Sequence, residues 1–199
     1  SAGAVVLGKT NVPIVLADWQ SYNAIHGVTR NPWDLERTPG GSSGGSSAAL
    51  AAGFGPLSLG SDIGGSLRVP AHFTGITALK PSYGLVPTRG HTPPGLTPLP
   101  NEVDLAVVGP MARSAGDLAL LFDVIAGPDE LTTGVGYRLA LKPPRHEQLA
   151  RHRVLMLDSH PLVPTVAPVR LALERLAQSL ARSGVKVERS HRLLPDLAE

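Results

Sequence analysis

Cysteine is absent from the 199 residues, which removes disulfides, thiolate nucleophiles and cysteine-ligated zinc, and is compatible with a reducing compartment. Lysine is scarce: of the 18 basic residues only Lys9, Lys80, Lys142 and Lys186 are lysines. No run of basic residues forms a nucleic-acid or membrane-binding patch. No apolar stretch approaches the roughly 20 residues that a membrane span needs. No secretory signal pattern is read, and a cytoplasmic location is expected. Methionine occurs only at Met111 and Met156 and the first residue is Ser1, so the chain reads as processed, excised or cloned from something longer.

Hydrophobic residues make up 42% against 17% charged, and the formal net charge is +2, so the chain is expected to be globular. Its length fits one ordinary domain or a large piece of a bigger one. The 22 glycines and 19 prolines are concentrated before residue 130, where backbone shape matters most.

Ala4 to Leu7, an apolar and partly β-branched run, predicts a short buried strand. From Gly40 to Ser47 every residue is Gly or Ser, and this loop feeds a small-residue helix over Ala48–Ala52 that Gly53 stops. Leu57 to Leu59 predicts a strand, Gly60 to Gly65 a turn, Ser66 to Phe73 a helical turn interrupted by Pro70, and Ile76 to Leu79 another strand. Pro87 to Asn101, with five prolines, reads as an irregular loop facing substrate. Ser114 is a good N-cap for a helix over Ala115–Ala126. In the tail, Val154–Leu157, an amphipathic helix from Pro168 that Gly184 stops, and Val185–Val187 predict a βαβ unit with parallel pairing. These elements point to α/β layers.

Gly3 to Thr10 fits the phosphate-loop expression G-x-x-x-x-G-K-[ST], but the intervening Ala-Val-Val-Leu favours a strand and Asn11-Val12-Pro13 stands where a helix should begin. Nucleotide binding is not expected. Gly40 to Gly44 fits the nucleophile-elbow pattern G-x-S-x-G, yet Leu35 to Pro39 is a poor strand to lead into it. The stretch Gly60-Ser61-Asp62-Ile63-Gly64-Gly65-Ser66-Leu67-Arg68 is more informative. Paired glycines before a serine let successive N–H groups converge on one point, as an oxyanion hole requires, although a plain turn uses the same letters. The seven histidines are scattered and form no metal pair, and no cofactor or metal is expected.

The Gly40 to Ser47 tract, the 24-residue step from Ser42 to Ser66, then Arg68, Pro70, Gly75 and Leu79-Lys80-Pro81, together resemble the amidase signature family. The resemblance runs from Gly8-Lys9-Thr10-Asn11 through Pro87, about 40% of the chain, with a weaker continuation over Val107 to Ser114. It implies one α/β/α domain around a mixed sheet, incomplete here, with a signature core at about 8–87 and the βαβ-like unit at about 153–190. It also implies a Ser, cis-Ser, Lys triad in which Ser66 is the nucleophile and Ser42, after a cis bond to Gly41, is the bridging serine. The N–H groups of Ile63, Gly64, Gly65 and Ser66 would form the oxyanion hole, with Ser43, Asp62 and Arg68 in support. The family's catalytic lysine lies on a segment several tens of residues before the counterpart of Gly8, so neither Lys9 nor Lys80 inherits that role, and the chain as given is expected to hydrolyse amides weakly or not at all.

The expected activity of the parent is hydrolysis of a small-molecule carboxylic amide through an acyl-enzyme on Ser66. An amidotransferase-type subunit that feeds ammonia to a charged tRNA is similar across the same motifs. Two further readings stay open: an elbow hydrolase built on Ser42, for which Asp104 and His146 would be arbitrary partners, and a non-catalytic scaffold. If absent segments leave sheet edges or apolar surface bare, self-association into a homo-oligomer or aggregate is expected.

Overall fold

The computed structural model describes residues 2–92, 97 and 103–189. The chain divides into two compact units, Ser1–Ala140 and Leu141–Glu199.

In the first unit a small antiparallel pair, β1 (Tyr22–Asn23) and β2 (Gly27–Val28), is followed by helix α1 (Gly44–Ala51). Next come β3 (Leu57–Asp62), α2 (Arg68–Thr74), β4 (Thr77–Ala78), β5 (Val107–Ala112), α3 (Ala115–Ile125) and the short α4 (Glu130–Gly134). Strand β5 lies between β3 and β4 and is antiparallel to both. Leu50, Leu67 and Met111 are buried as one apolar cluster, with Ile76 and Ala78 packed against it. The register sets Gly60 opposite Gly109. A Cβ on Gly60 would come within 2.8 Å of Leu67 Cδ2, and one on Gly109 within 2.7 Å of Leu67 Cδ1. The absence of both side chains leaves the room that Leu67, the residue after Ser66, fills.

Helix α1 starts four residues earlier than its sequence suggests. Glycine and serine are poor helix formers, and Ser43 makes no side-chain cap. Its first amides are satisfied from far away in the chain: Gly44 N–H donates to Ser21 Oγ at 3.0 Å, and Gly45 N–H to the Asn11 carbonyl at 3.2 Å. Such close approach needs glycine, because a Cβ on Gly45 would lie 2.5 Å from Asn11 N. Gly45→Ala is accordingly expected to destabilise the unit by about 3 kcal/mol, read as a lower urea midpoint by circular dichroism. Gly64→Ala, where a Cβ meets nothing within 4 Å, serves as the control that leaves the midpoint in place.

The strand expected over Ala4–Leu7 does not form. Val5, Val6 and Leu7 are 83%, 86% and 79% exposed, and no strand lies beside them among the described residues. An apolar β-branched run becomes a strand only where a neighbour supplies the ladder. Pro70 does not interrupt the helix after Ser66 either, because it falls in the first turn of α2, where its missing N–H has no partner to lose. Most of the Pro-rich loop expected over Pro87–Asn101 lies outside the described residues; residues 87–92 are irregular. Ser114 caps α3 as expected, its hydroxyl accepting from Asp117 N–H at 3.1 Å.

In the second unit β6 (Arg153–Leu155) and β7 (Lys186–Glu188) pair in parallel through α5 (Ala167–Arg182). Pro168 sits in the first turn of α5, and Gly184, at φ +83°, ends it. The βαβ reading of the tail thus matches the observed elements. Among the described residues no helix is long and apolar enough to cross a membrane.

Candidate active site

Ser42 and Ser66 are far apart in sequence, and the residue after Ser42 is hydrogen-bonded to Ser66. The Gly41–Ser42 peptide bond is cis. Ser43 N–H donates to the Ser66 carbonyl at 3.2 Å, and Ser43 Oγ accepts from Ser61 N–H at 3.4 Å, tying the Gly/Ser tract to the turn between β3 and α2. Ser42, Ser43 and Ser66 are all buried, at 2%, 5% and 7% exposure. Neither the Ser42 nor the Ser66 hydroxyl makes a hydrogen bond among the described residues, so both oxygens remain available for proton transfer. Gly41 is required where it stands: a Cβ would fall 2.5 Å from the Asp18 carbonyl oxygen and 2.6 Å from Gln20 N.

Asp62 organises the turn that carries Ser66. Its carboxylate is buried and receives five hydrogen bonds. Gly65 N–H reaches Oδ1 at 2.9 Å, while Leu67 and Arg68 N–H reach Oδ2 at 3.0 and 3.3 Å. The Arg68 guanidinium adds a fork, Nε to Oδ2 at 3.0 Å and Nη2 to Oδ1 at 2.8 Å. Burial pushes the Asp62 carboxyl up, but the Arg68 fork and the three backbone donors outweigh it and hold the group at about 2. Asp62 is therefore ionised at neutral pH and acts as the inward-facing anchor of the loop.

That anchor revises the expected oxyanion hole. A buried carboxylate draws every donor it can reach, and the Gly65 N–H is turned onto Asp62 rather than toward the cleft. The donors left without a partner among the described residues are those of Ile63, Gly64 and Ser66. A cleft of about 370 Å³ is lined by Ser66 together with Leu16, Ala17, Asp18, Trp19, Ile63 and Gly64.

Sequence reasoning missed three residues that hold this arrangement. Ser21, fully buried, shares its hydroxyl proton between the carbonyls of Gly40 (3.3 Å) and Ser42 (3.2 Å) while accepting from Gly44 N–H. Asn11 Nδ2 donates to Thr29 Oγ1 at 2.9 Å and to the Gly27 carbonyl at 3.1 Å, which fixes the segment whose carbonyl caps α1. Trp19 Nε1 donates to the Gly64 carbonyl at 3.2 Å. Only Asn11 had a signal, as the last residue of Gly8-Lys9-Thr10-Asn11; Ser21 and Trp19 stand in no pattern. Among the described residues no group of three His, Cys, Asp or Glu side chains is placed to hold a metal ion.

A cis bond at a Gly/Ser tract, a second buried serine tied to that tract through Ser43 and a carboxylate-anchored glycine turn, set in an α/β framework, fit the resemblance to the amidase signature family. Known proteins agree: the family model described as Amidase matches residues 1–198, and the chain belongs to that family. It is 43% identical over 189 residues to a glutamyl-tRNA(Gln) amidotransferase subunit of Saccharolobus solfataricus, a match covering 94% of this chain and 37% of the relative. The corresponding subunit of Symbiobacterium thermophilum is 52% identical over 129 residues, 65% of this chain and 25% of the relative. Among solved structures, 6-aminohexanoate cyclic dimer hydrolase in complex with substrate superposes with a TM-score of 0.77 at 32% identity, covering 94% of this chain and 39% of that one. The glutamyl-tRNA(Gln) amidotransferase subunit of Thermotoga maritima gives 0.75 at 34% identity, with 94% and 40% covered. The chain thus spans less than half the length of the relatives it matches.

Proposed function

We propose that this chain carries the nucleophile of an amide-cleaving enzyme and that Ser66 is the residue acylated. The observation that supports it most directly is the cis peptide bond before Ser42 with Ser66 hydrogen-bonded to the next residue, Ser43, both Ser42 and Ser66 being buried and neither hydroxyl making a hydrogen bond among the described residues. Ser66 Oγ attacks the amide carbonyl carbon, and the carbonyl π pair moves onto oxygen, which the Ile63, Gly64 and Ser66 N–H groups receive. Ser42 accepts the Ser66 proton while passing its own to a base, and returns a proton to the leaving nitrogen as the C–N bond breaks. Water then releases the carboxylate and restores the serine. Lys9 and Lys80 make no hydrogen bond with either serine among the described residues, and the base in this reading is a lysine from outside the 199 residues. Asp62 and Arg68 hold the loop and do not touch the reacting atoms.

A second reading concerns the fate of the nitrogen. The curated relatives named above are amidotransferase subunits, which favours a chain that cleaves an amide donor and works with partner subunits rather than releasing ammonia to solvent. Both readings share the acylation of Ser66. A fluorophosphonate probe, followed by peptide mass mapping, is expected to modify Ser66 in a polypeptide extended on the N-terminal side through the lysine segment and to modify this chain far more slowly. Modification at Ser42 instead would move the nucleophile to the elbow reading. That reading is already weakened by residues 38–40, which are not a strand.

A further inference from the structure

Asp62 and Trp19 hold opposite ends of one peptide group. The peptide joining Gly64 to Gly65 gives its N–H to Asp62 Oδ1 at 2.9 Å and receives at its carbonyl the indole N–H of Trp19 at 3.2 Å. A planar peptide held at both ends resists rotation about its flanking bonds, and the Gly64 and Ser66 N–H groups belong to the two peptides joined directly to it. Gly65 makes the clamp fit. Its φ of +117° is a glycine conformation, and a Cβ there would lie 3.0 Å from Val69 Cγ2 and 3.5 Å from Trp19 Nε1. Trp19 also lines the cleft beside Ser66 and is 58% exposed.

We infer that Trp19 is a positioning residue for the oxyanion hole: its indole N–H holds the Gly64–Gly65 peptide so that the donors beside it face the cleft. The inference rests on the reading of Ser66 as nucleophile. It separates two jobs that one tryptophan can do, because Trp33 makes the same kind of bond elsewhere. Trp33 Nε1 donates to the Thr74 carbonyl at 2.7 Å and does not line the cleft. Any general effect of losing an indole-to-carbonyl bond is therefore shared by both residues, and an effect on the hole belongs to Trp19 alone.

The test compares Trp19→Phe with Trp33→Phe in the protein at its full natural length, each keeping a ring and losing the N–H. The readout is the rate of fluorophosphonate modification of Ser66, in which an O–P bond forms, the P–F bond breaks, fluoride leaves and the serine proton passes to the base. The phosphonyl oxygen must enter the hole, so the rate reports the donors. Trp19→Phe is expected to slow modification about tenfold, with kcat on an amide falling in parallel and KM changing less than about twofold. Trp33→Phe is expected to lower Tm and leave the rate unchanged. Equal rates for Trp19→Phe and the unaltered protein overturn this inference and leave the Ser66 reading standing. No modification of Ser66 in the unaltered protein overturns both.

Discussion

With Ser66 as the proposed acylated residue, Ser66→Ala is expected to lower amide turnover by the full-length protein on the order of 10⁴-fold or more, because alanine removes the attacking oxygen. Ser42→Ala is expected to cost less, on the order of 10²- to 10⁴-fold, since on the proposed mechanism it removes the proton relay and leaves the attacking oxygen of Ser66 in place. Both changes are small. Ser42 is held through its carbonyl by Ser21, and neither hydroxyl bonds to the protein among the described residues, so the far-ultraviolet circular dichroism of each variant should match that of the parent. Ammonia release at saturating substrate checks the order of the two effects. Loss of all activity in Ser42→Ala with Ser66→Ala within about tenfold of the parent would overturn the assignment.

Asp62→Ala is expected to destabilise the first unit by about 3–5 kcal/mol, the largest folding effect of any single substitution considered. Alanine leaves the N–H groups of Gly65, Leu67 and Arg68 unpaired, the first two beneath the surface, and takes the counter-ion from a guanidinium that is half-exposed. Asp62→Asn should fare little better, because its amide NH₂ turns one donor edge toward other donors. The acid limb carries a second signature. The native carboxyl titrates at about 2 against an ordinary 3.8, so its contribution is complete above about pH 4 and is lost as the pH falls toward 2. That contribution is about 2 kcal/mol, and urea midpoints measured between about pH 2 and 5 should fall less steeply in Asp62→Ala than in the parent.

The parts of this fold that were legible in the sequence are those whose cause is local. Ser114 announces α3, Pro168 and Gly184 bracket α5, and the strands on either side give a parallel pair. The joint spacing of two Gly/Ser segments pointed to a cis bond after Gly41, which is present, and the two segments are hydrogen-bonded to each other through Ser43 and Ser66. What was not legible depends on a distant partner. Ala4–Leu7 has the composition of a strand and no ladder beside it, and α1 begins in residues of low helix propensity because Ser21 and Asn11 supply its caps. The Gly65 N–H looked like a donor for substrate, yet Asp62, three residues earlier, claims it. Letters show which donors exist, and only the fold shows where each is spent.

The seat of α1 has a thermal consequence. From Gly40 to Ala48 every residue is buried, and those from 40 to 47 carry no group larger than a hydroxymethyl. The interior around the serine pair is therefore made of peptide and hydroxyl groups more than of methyls. Melting such an interior hydrates polar surface, which lowers the heat capacity that apolar exposure raises. The serine segment is therefore expected to add less to the heat capacity of unfolding than the Leu50, Leu67 and Met111 cluster does.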